Sequence, residues 1–472
     1  MHGCIRYGLL LAMTAVWGAN ATAWGQGNLM SPGPVDAGYS ATADQNREPL
    51  AASSQDYFVS GNPSADAADV AARLDELEKA LKKINDKAKA DKKKAAGKMS
   101  VTPCGRIHID TAAFSQDPVD KARFDEQNGV ELRRARLGLK GKGFNVIQYK
   151  IEWDFAGKDK SRAKDIYLAI TDLPLLQNIK IGHFKEPFSL DELTSSNYIT
   201  FMERNIASEV MAPKRHIGVM AFGHAASENA TYAIGYFAER DDDGGPVQDD
   251  NMGGAITMRG TYLPWYDEAT EGRGLIHTGL AYSHRDPFQN ECELAFRPES
   301  HLAHKNSLLL TDVNARDLIG AELALVYGPF SIQSEYYVNF IDRYAHDDCK
   351  TQGAYVYMSY FLTGENRPYD RKKGTFKRVK PYENFFRVRD ENGNVYMGKG
   401  AWELKYRYSW LDAYDHDLLG WDYVGDHTLG VNWYLNPYTR FMAEYIHSGI
   451  NQNAGAGVGD LNIFQVRAQI DF

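Results

Sequence analysis

The 472-residue chain is poor in cysteine, with only four. One of them, Cys4, lies in the first few residues, and Cys104, Cys292 and Cys349 remain as an odd number at irregular spacing, so no disulfide framework is implied. Cys292 with His301 and His304 fits no standard zinc spacing, and no metal ligand is assigned. After the first thirty residues no apolar run reaches 18, which excludes membrane-spanning helices but leaves spanning strands open. A basic excess is missing as well: 53 Lys+Arg stand against 62 Asp+Glu, a formal charge of −9, so a dedicated nucleic-acid binder is disfavoured. No Gly-x-Ser-x-Gly elbow or His-Glu-x-x-His pair occurs, and neither Gly141-Lys142-Gly143 nor Gly455-Ala456-Gly457-Val458-Gly459 completes a nucleotide-binding loop. The expectation is therefore a protein that is not an enzyme and carries no cofactor.

What is present excludes general disorder. Hydrophobic residues make up 43% of the chain, with 28 Tyr, 21 Phe and 8 Trp beside 42 Gly. Residues 1–23 combine Arg6, an apolar run over 9–17 and the small-residue sites Ala19-Asn20-Ala21 and Ala21-Thr22-Ala23, which reads as an export signal. Residues 24–65 are rich in Gly, Ser, Ala, Pro, Asn and Asp without a period, as in a flexible linker. Within 66–97, Val70, Leu74, Leu77, Leu81 and Ile84 recur at 4, 3, 4 and 3, a helical seam of about three heptads. Such a seam suits a short periplasmic coiled coil between identical subunits; a single amphipathic helix packed on its own domain is the alternative.

From residue 105 the period becomes two. Phe464, Val466, Ala468, Ile470 and Phe472 alternate with Gln465, Arg467, Gln469 and Asp471, and Trp402, Leu404, Tyr406, Tyr408 and Trp410 with Glu403, Lys405, Arg407 and Ser409. Alternation places one set on each face of a strand. Aromatics at the ends of the apolar set, and a terminal Phe like the recognition signal of bacterial outer-membrane barrels, favour lipid on one face and a wet lumen on the other. Sixteen strands are predicted, near 106–114, 130–141, 146–155, 164–171, 178–184, 215–224, 229–238, 252–262, 274–283, 316–327, 330–341, 352–362, 399–411, 424–435, 438–449 and 460–472. The fold expected is all-β: a 16-stranded antiparallel transmembrane β-barrel over 105–472, preceded by the short α-helical coiled coil. Tight turns alternate with long loops, except that 363–398 is long on the short-turn side. Either it hides a strand pair or it folds into the pore.

Three stretches resemble the phosphate-selective porin O and P family. They are Glu131-Leu132-Arg133-Arg134-Ala135-Arg136-Leu137-Gly138-Leu139-Lys140-Gly141, then Tyr149-Lys150-Ile151-Glu152-Trp153-Asp154-Phe155-Ala156-Gly157, and most distinctively the run from Gly182-His183-Phe184-Lys185-Glu186-Pro187-Phe188 through Thr194-Ser195-Ser196 to Ile199-Thr200-Phe201-Met202-Glu203-Arg204. The resemblance implies a homotrimeric outer-membrane channel that passes small anions such as phosphate or polyphosphate by diffusion, with a coiled-coil N-terminus as in some members. Its partners would be those anions and outer-membrane lipid, with no nucleic acid.

An ion entering a narrow pore needs charge or donors to replace its hydration, and arginine supplies both to phosphate. With Leu137 and Leu139 facing lipid, Arg134, Arg136 and Lys140 have lumen parity and form a candidate cationic column. The long loop after the fifth strand would carry Lys185, Arg204 and Lys214 inward, with Arg215 opening the next strand. Lys180, Arg259, Arg407, Arg440 and Arg467 share the parity, and Glu152, Asp154, Glu335, Glu403 and Glu444 are carboxylates that could pair with them purely to satisfy the wall. The acidic run around Asp241-Asp242-Asp243 reads as a solvated loop without the downstream Glu of an EF-hand. A non-selective porin and a barrel tethering the membrane to the cell wall are the competing functions.

Overall fold

Sixteen antiparallel strands, each hydrogen-bonded to its neighbours in sequence, close into a cylinder. They are β1 (Thr102–Gln116), β2 (Gly129–Gly143), β3 (Ile147–Asp154), β4 (Arg162–Leu173), β5 (Gln177–Lys185), β6 (Arg215–His224), β7 (Ala230–Phe237), β8 (Gly254–Tyr266), β9 (Gly274–Asp286), β10 (Val313–Tyr327), β11 (Phe330–Arg343), β12 (Cys349–Phe361), β13 (Ala401–Asp412), β14 (Tyr423–Asn436), β15 (Thr439–Asn451) and β16 (Val458–Asp471). Every strand expected from alternation overlaps one of these. The computed structural model describes residues 79, 82, 83 and 98–472, apart from 158–160, 240–249, 390–392, 414–422 and 452–457. The export signal, the linker, the seam with Val70, Leu74, Leu77, Leu81 and Ile84, and the acidic run at 241–243 lie outside the described residues.

Burial is inverted relative to a water-soluble fold. On β16, Phe464 and Ile470 are exposed, whereas Arg467, Gln465 and Gln469 are buried. The outward set of side chains is apolar and the inward set polar, which is stable only where the outside meets acyl chains. None of the described helices is long and apolar enough to cross a membrane. Closure occurs between β1 and β16 in register from Arg106↔Asp471 to Gln116↔Leu461. Past the end of β16, Phe472 exchanges backbone hydrogen bonds with Gly105 at 3.0 and 3.1 Å. A Cβ at Gly105 would run into the Phe472 ring, so the seam of the cylinder needs glycine there.

Aromatic side chains ring both ends of the outer surface. Trp402 stacks on Trp433 with centroids 5.1 Å apart, and Phe441 follows at 6.1 Å, all at the short-turn end. Trp410, Tyr423 and Tyr336 sit toward the long-loop end. Rings with one apolar body and one polar edge suit the boundary between acyl chains and headgroups.

Two connections enter the barrel. The 186–214 loop, with short helices α1 (Leu190–Leu193) and α2 (Ile206–Met211), folds inward from the long-loop end, where Asn205 caps α2 by accepting from the Ser208 N–H at 2.8 Å. Its apolar side chains Phe188, Phe201, Ile206, Ala207 and Met211 pack with Tyr337, Tyr355 and Tyr357 of the β11–β12 wall. At the opposite end, 363–398 contributes no strand to the cylinder. It first turns into the mouth of the lumen through a small hairpin, Tyr369–Asp370 with Thr375–Phe376, whose Tyr369 and Phe376 pack on Leu190, Leu263, Leu275, Ala324 and Val326. The Tyr369 hydroxyl lies 2.6 Å from His277 Nδ1, and Arg259 donates to the Gly374 carbonyl at 2.9 Å. Both readings left open by the sequence hold in part: the segment hides two short strand pairs, neither joined to the cylinder, and its first half enters the lumen mouth.

Candidate functional site

The inward loop is held by ion pairs at one face and by hydrogen bonds between charged side chains and its backbone at the other. Glu203 accepts from Arg133 at 2.9 Å, Arg134 at 3.1 and 3.2 Å, and Arg467 at 2.6 Å, while Arg467 also grips Asp110. Burial alone would raise the Glu203 carboxyl; three guanidinium charges outweigh it and hold it well below the usual range. On the opposite wall the loop's backbone is tied down by side chains. Glu335 accepts from the N–H groups of Leu190 and Asp191 at 2.9 and 2.8 Å, Glu444 from that of Met202 at 2.8 Å, and Lys405 donates to the Thr200 carbonyl at 2.9 Å.

Exposure separates the lumen into two halves. Toward β10–β16 most paired cations are dry: Lys405 with Glu444, and Arg407 with Glu299, are at most 2% accessible, with Arg316 at 12% the exception. Toward β1–β6 the cations are wetter, from 10% for Arg106 and Arg136 to 16% for Lys150 and Arg204. Here Arg136 pairs with Asp154 at 2.7 Å, Lys150 with Asp165 at 2.6 Å and Glu152 at 2.9 Å, and Arg215 with Asp165 at 2.8 Å. Lys185 and Arg204 share Glu192 at 3.0 and 2.8 Å, and Arg106 reaches Ser196 at 2.6 Å and Glu152 at 3.6 Å. Six cations therefore share four carboxylates; Glu152, Asp154 and Glu192 are at most 7% accessible, whereas Asp165 is 18% accessible beside them. The layer that meets water thus holds more cations than carboxylates. For Glu192, burial pushes the carboxyl up, but Arg204 and Lys185 prevail and bring it down to about 2.

The residues singled out by the sequence fall into three groups. Arg134 is nearly buried under Glu203. Arg136, Lys185, Arg204 and Arg215 belong to the wet layer, each paired with a carboxylate. Lys140, Lys180 and Lys214 pair with no carboxylate among the described residues. Lys140 and Lys214 are exposed, whereas the Lys180 ammonium sits 4.7–5.0 Å from the ring centroids of Tyr167, Phe184 and Phe222. The structure adds Arg106, Arg133 and Lys150. Arg133 escapes strict alternation because a β-bulge makes it the extra residue between the pairs His108↔Arg134 and Ile109↔Leu132, turning both arginines inward. The odd five-residue spacing of the two outward leucines, Leu132 and Leu137, was the legible sign of it.

Glu186, His216 and Glu239 converge closely enough to hold a metal ion. Arg285, however, donates to Glu186 at 2.9 and 3.0 Å and also to Glu239, so a fixed cation already fills the place. The donor set does not fit a divalent ion.

The family described as phosphate-selective porin O and P matches residues 101–472, the whole cylinder. The chain belongs to that family. Among curated proteins, this porin is 28% identical to Porin O of Pseudomonas aeruginosa over 401 residues, covering 75% of this chain and 85% of that one. It is 26% identical over 340 residues to an uncharacterised protein of Caulobacter vibrioides, covering 69% and 64% of the two chains. Among solved structures, an anion-selective porin from Comamonas acidovorans superposes with a TM-score of 0.50 at 15% identity, over 79% of this porin and all of that one, a likeness of fold alone. Family and fold together place the porin in the outer membrane, with short turns on the periplasmic side.

Proposed function

We propose that this porin is a diffusion channel preferring small anions, phosphate or polyphosphate among them. The observation that carries the reading is the water-facing layer of Arg106, Arg136, Lys150, Lys185, Arg204 and Arg215 over only four carboxylates, with Lys180 as a seventh cation beyond them. A low-dielectric wall focuses that excess, so anions are enriched and cations repelled at the narrowest approach. The family description supports phosphate as the anion. The reading extends to the whole chain: 1–23 an export signal, 24–65 a linker, 66–97 a periplasmic coiled coil joining three copies, and 105–472 the pore.

Reversal potential across planar bilayers under a salt gradient tests the preference, and phosphate block of chloride current tests the ion. Replacing Arg136 and Arg215 with Ala leaves five cations against the same four carboxylates. The anion-to-cation permeability ratio should fall by roughly twofold or more. An unchanged reversal potential would remove the layer from ion selection.

A further inference from the structure

After leaving the lumen mouth, the 363–398 segment crosses to the outside of the barrel. Arg378 pairs with Asp471 at the barrel rim, and the Phe385 N–H then donates to the Leu435 carbonyl at 2.6 Å. The Phe385 ring meets the edge of Trp433 at 4.7 Å, joining the aromatic girdle of Trp402 and Trp433. Beyond it stands a hairpin, Phe386–Arg389 paired with Val395–Gly398, in register Phe386↔Gly398 to Arg389↔Val395. Its side chains are unusual for a surface bathed only in water: Phe386, Val395, Tyr396 and Met397 are all exposed. Arg387, Arg389 and Lys399 are exposed beside them and pair with no carboxylate among the described residues. Between 377 and 399 the sequence has six basic residues against three acidic, in a chain whose total is −9.

We propose that this hairpin is an interfacial foot that lies on the periplasmic leaflet, its apolar side chains continuing the girdle into the headgroup zone and its arginines binding anionic phospholipid phosphates. Two observations select lipid over other occupants. The hairpin is continuous with the Trp402–Trp433 belt, which already marks the boundary of the acyl region. Its guanidinium groups, which pair with no carboxylate among the described residues, lie beside that belt, and arginine forks match phosphate oxygens in pairs. The inference rests on the membrane setting of the barrel and is independent of which ion the lumen prefers.

The test uses the full-length protein with Cys4→Ser and with Val395→Cys carrying an environment-sensitive fluorophore; Cys104, Cys292 and Cys349 are buried and should not label. Vesicles of phosphatidylethanolamine with or without phosphatidylglycerol, each containing lipids brominated near the headgroup, serve as the probe. The expected result is quenching by brominated lipid and shielding from aqueous iodide, both stronger with phosphatidylglycerol. In R387Q/R389Q the phosphatidylglycerol dependence should be lost, while heat-modified gel mobility verifies an intact barrel. A label at Lys373→Cys, in the lumen mouth, should remain open to iodide throughout. Full iodide access at 395 would overturn the proposal. So would shielding without lipid quenching, which would mean that a second copy of the chain covers the hairpin.

Discussion

Arg134 and Arg136 stand two residues apart on β2 and do different work. Arg134 is one of three guanidinium groups on Glu203 and sees almost no water; Arg136 forms part of the wet layer. Replacing Arg134 with Ala should therefore lower stability and leave reversal potential nearly unchanged, the reverse of Arg136. Arg467 is the sharper case. It is the fully buried bridge between Asp110 and Glu203, and Arg467→Ala leaves both carboxylates short of a partner. A loss of about 3–5 kcal/mol is expected, read as a lower midpoint in heat-modified gel mobility. Acid should act at the same scale. The folded Glu192 carboxyl titrates near 2 against an ordinary 4.5, so its contribution is full above 4.5 and fades as pH falls through about 2. Conductance should hold from pH 7 to 4, and the inward loop should loosen only in stronger acid. A collapse of selectivity near pH 5 would show that a carboxylate other than Glu192 limits the acid stability of the loop.

Among the elements, the strands were the most legible. A period of two is enforced residue by residue wherever one face meets lipid and the other water, so sixteen spans could be read directly. The β2 bulge was harder to see, because a single inserted residue reverses the parity beyond it and turns Arg133 inward. The 186–214 loop could be expected to enter the lumen, but its partners Glu335, Lys405, Glu444 and Arg467 lie more than a hundred residues further along the chain. The 363–398 segment was ambiguous for the same reason: its contacts with Arg259, His277 and Asp471 are nonlocal. Trimming the small hairpin at 369–376 to a tight turn should widen the periplasmic mouth and raise single-channel conductance. Unchanged conductance would place the limiting constriction entirely at the inward loop.

At the scale of the whole molecule, a net charge of −9 coexists with a positive water-facing layer because charge is distributed, not averaged. Arg259, Arg285, Lys405 and Arg407 of β8, β9 and β13 pair with Glu322, Glu186, Glu444 and Glu299, while the buried Glu335, Glu403 and Asp426 pair with no cation among the described residues; toward β1–β6, six cations share four carboxylates. Total composition is thus a poor guide to what a pore attracts. Assembly belongs to this scale too. On the proposal that 66–97 joins three copies, deleting it should weaken trimers on semi-native gels while leaving the conductance of each pore intact. Trimers of undiminished heat resistance would mean that the barrel walls alone hold the subunits together.

The sequence by itself determined the cylinder: strand number, the lipid-facing set, the connections that run long, and the family motifs between 131 and 204. Each of these follows from local rules, in which a residue's neighbours two or four positions away fix its face. Only the tertiary structure decided which cations meet water and which are spent on holding the inward loop. That division depends on carboxylates delivered from distant segments, Glu203 to Arg134 and Asp165 to Arg215, and on burial that no local pattern encodes.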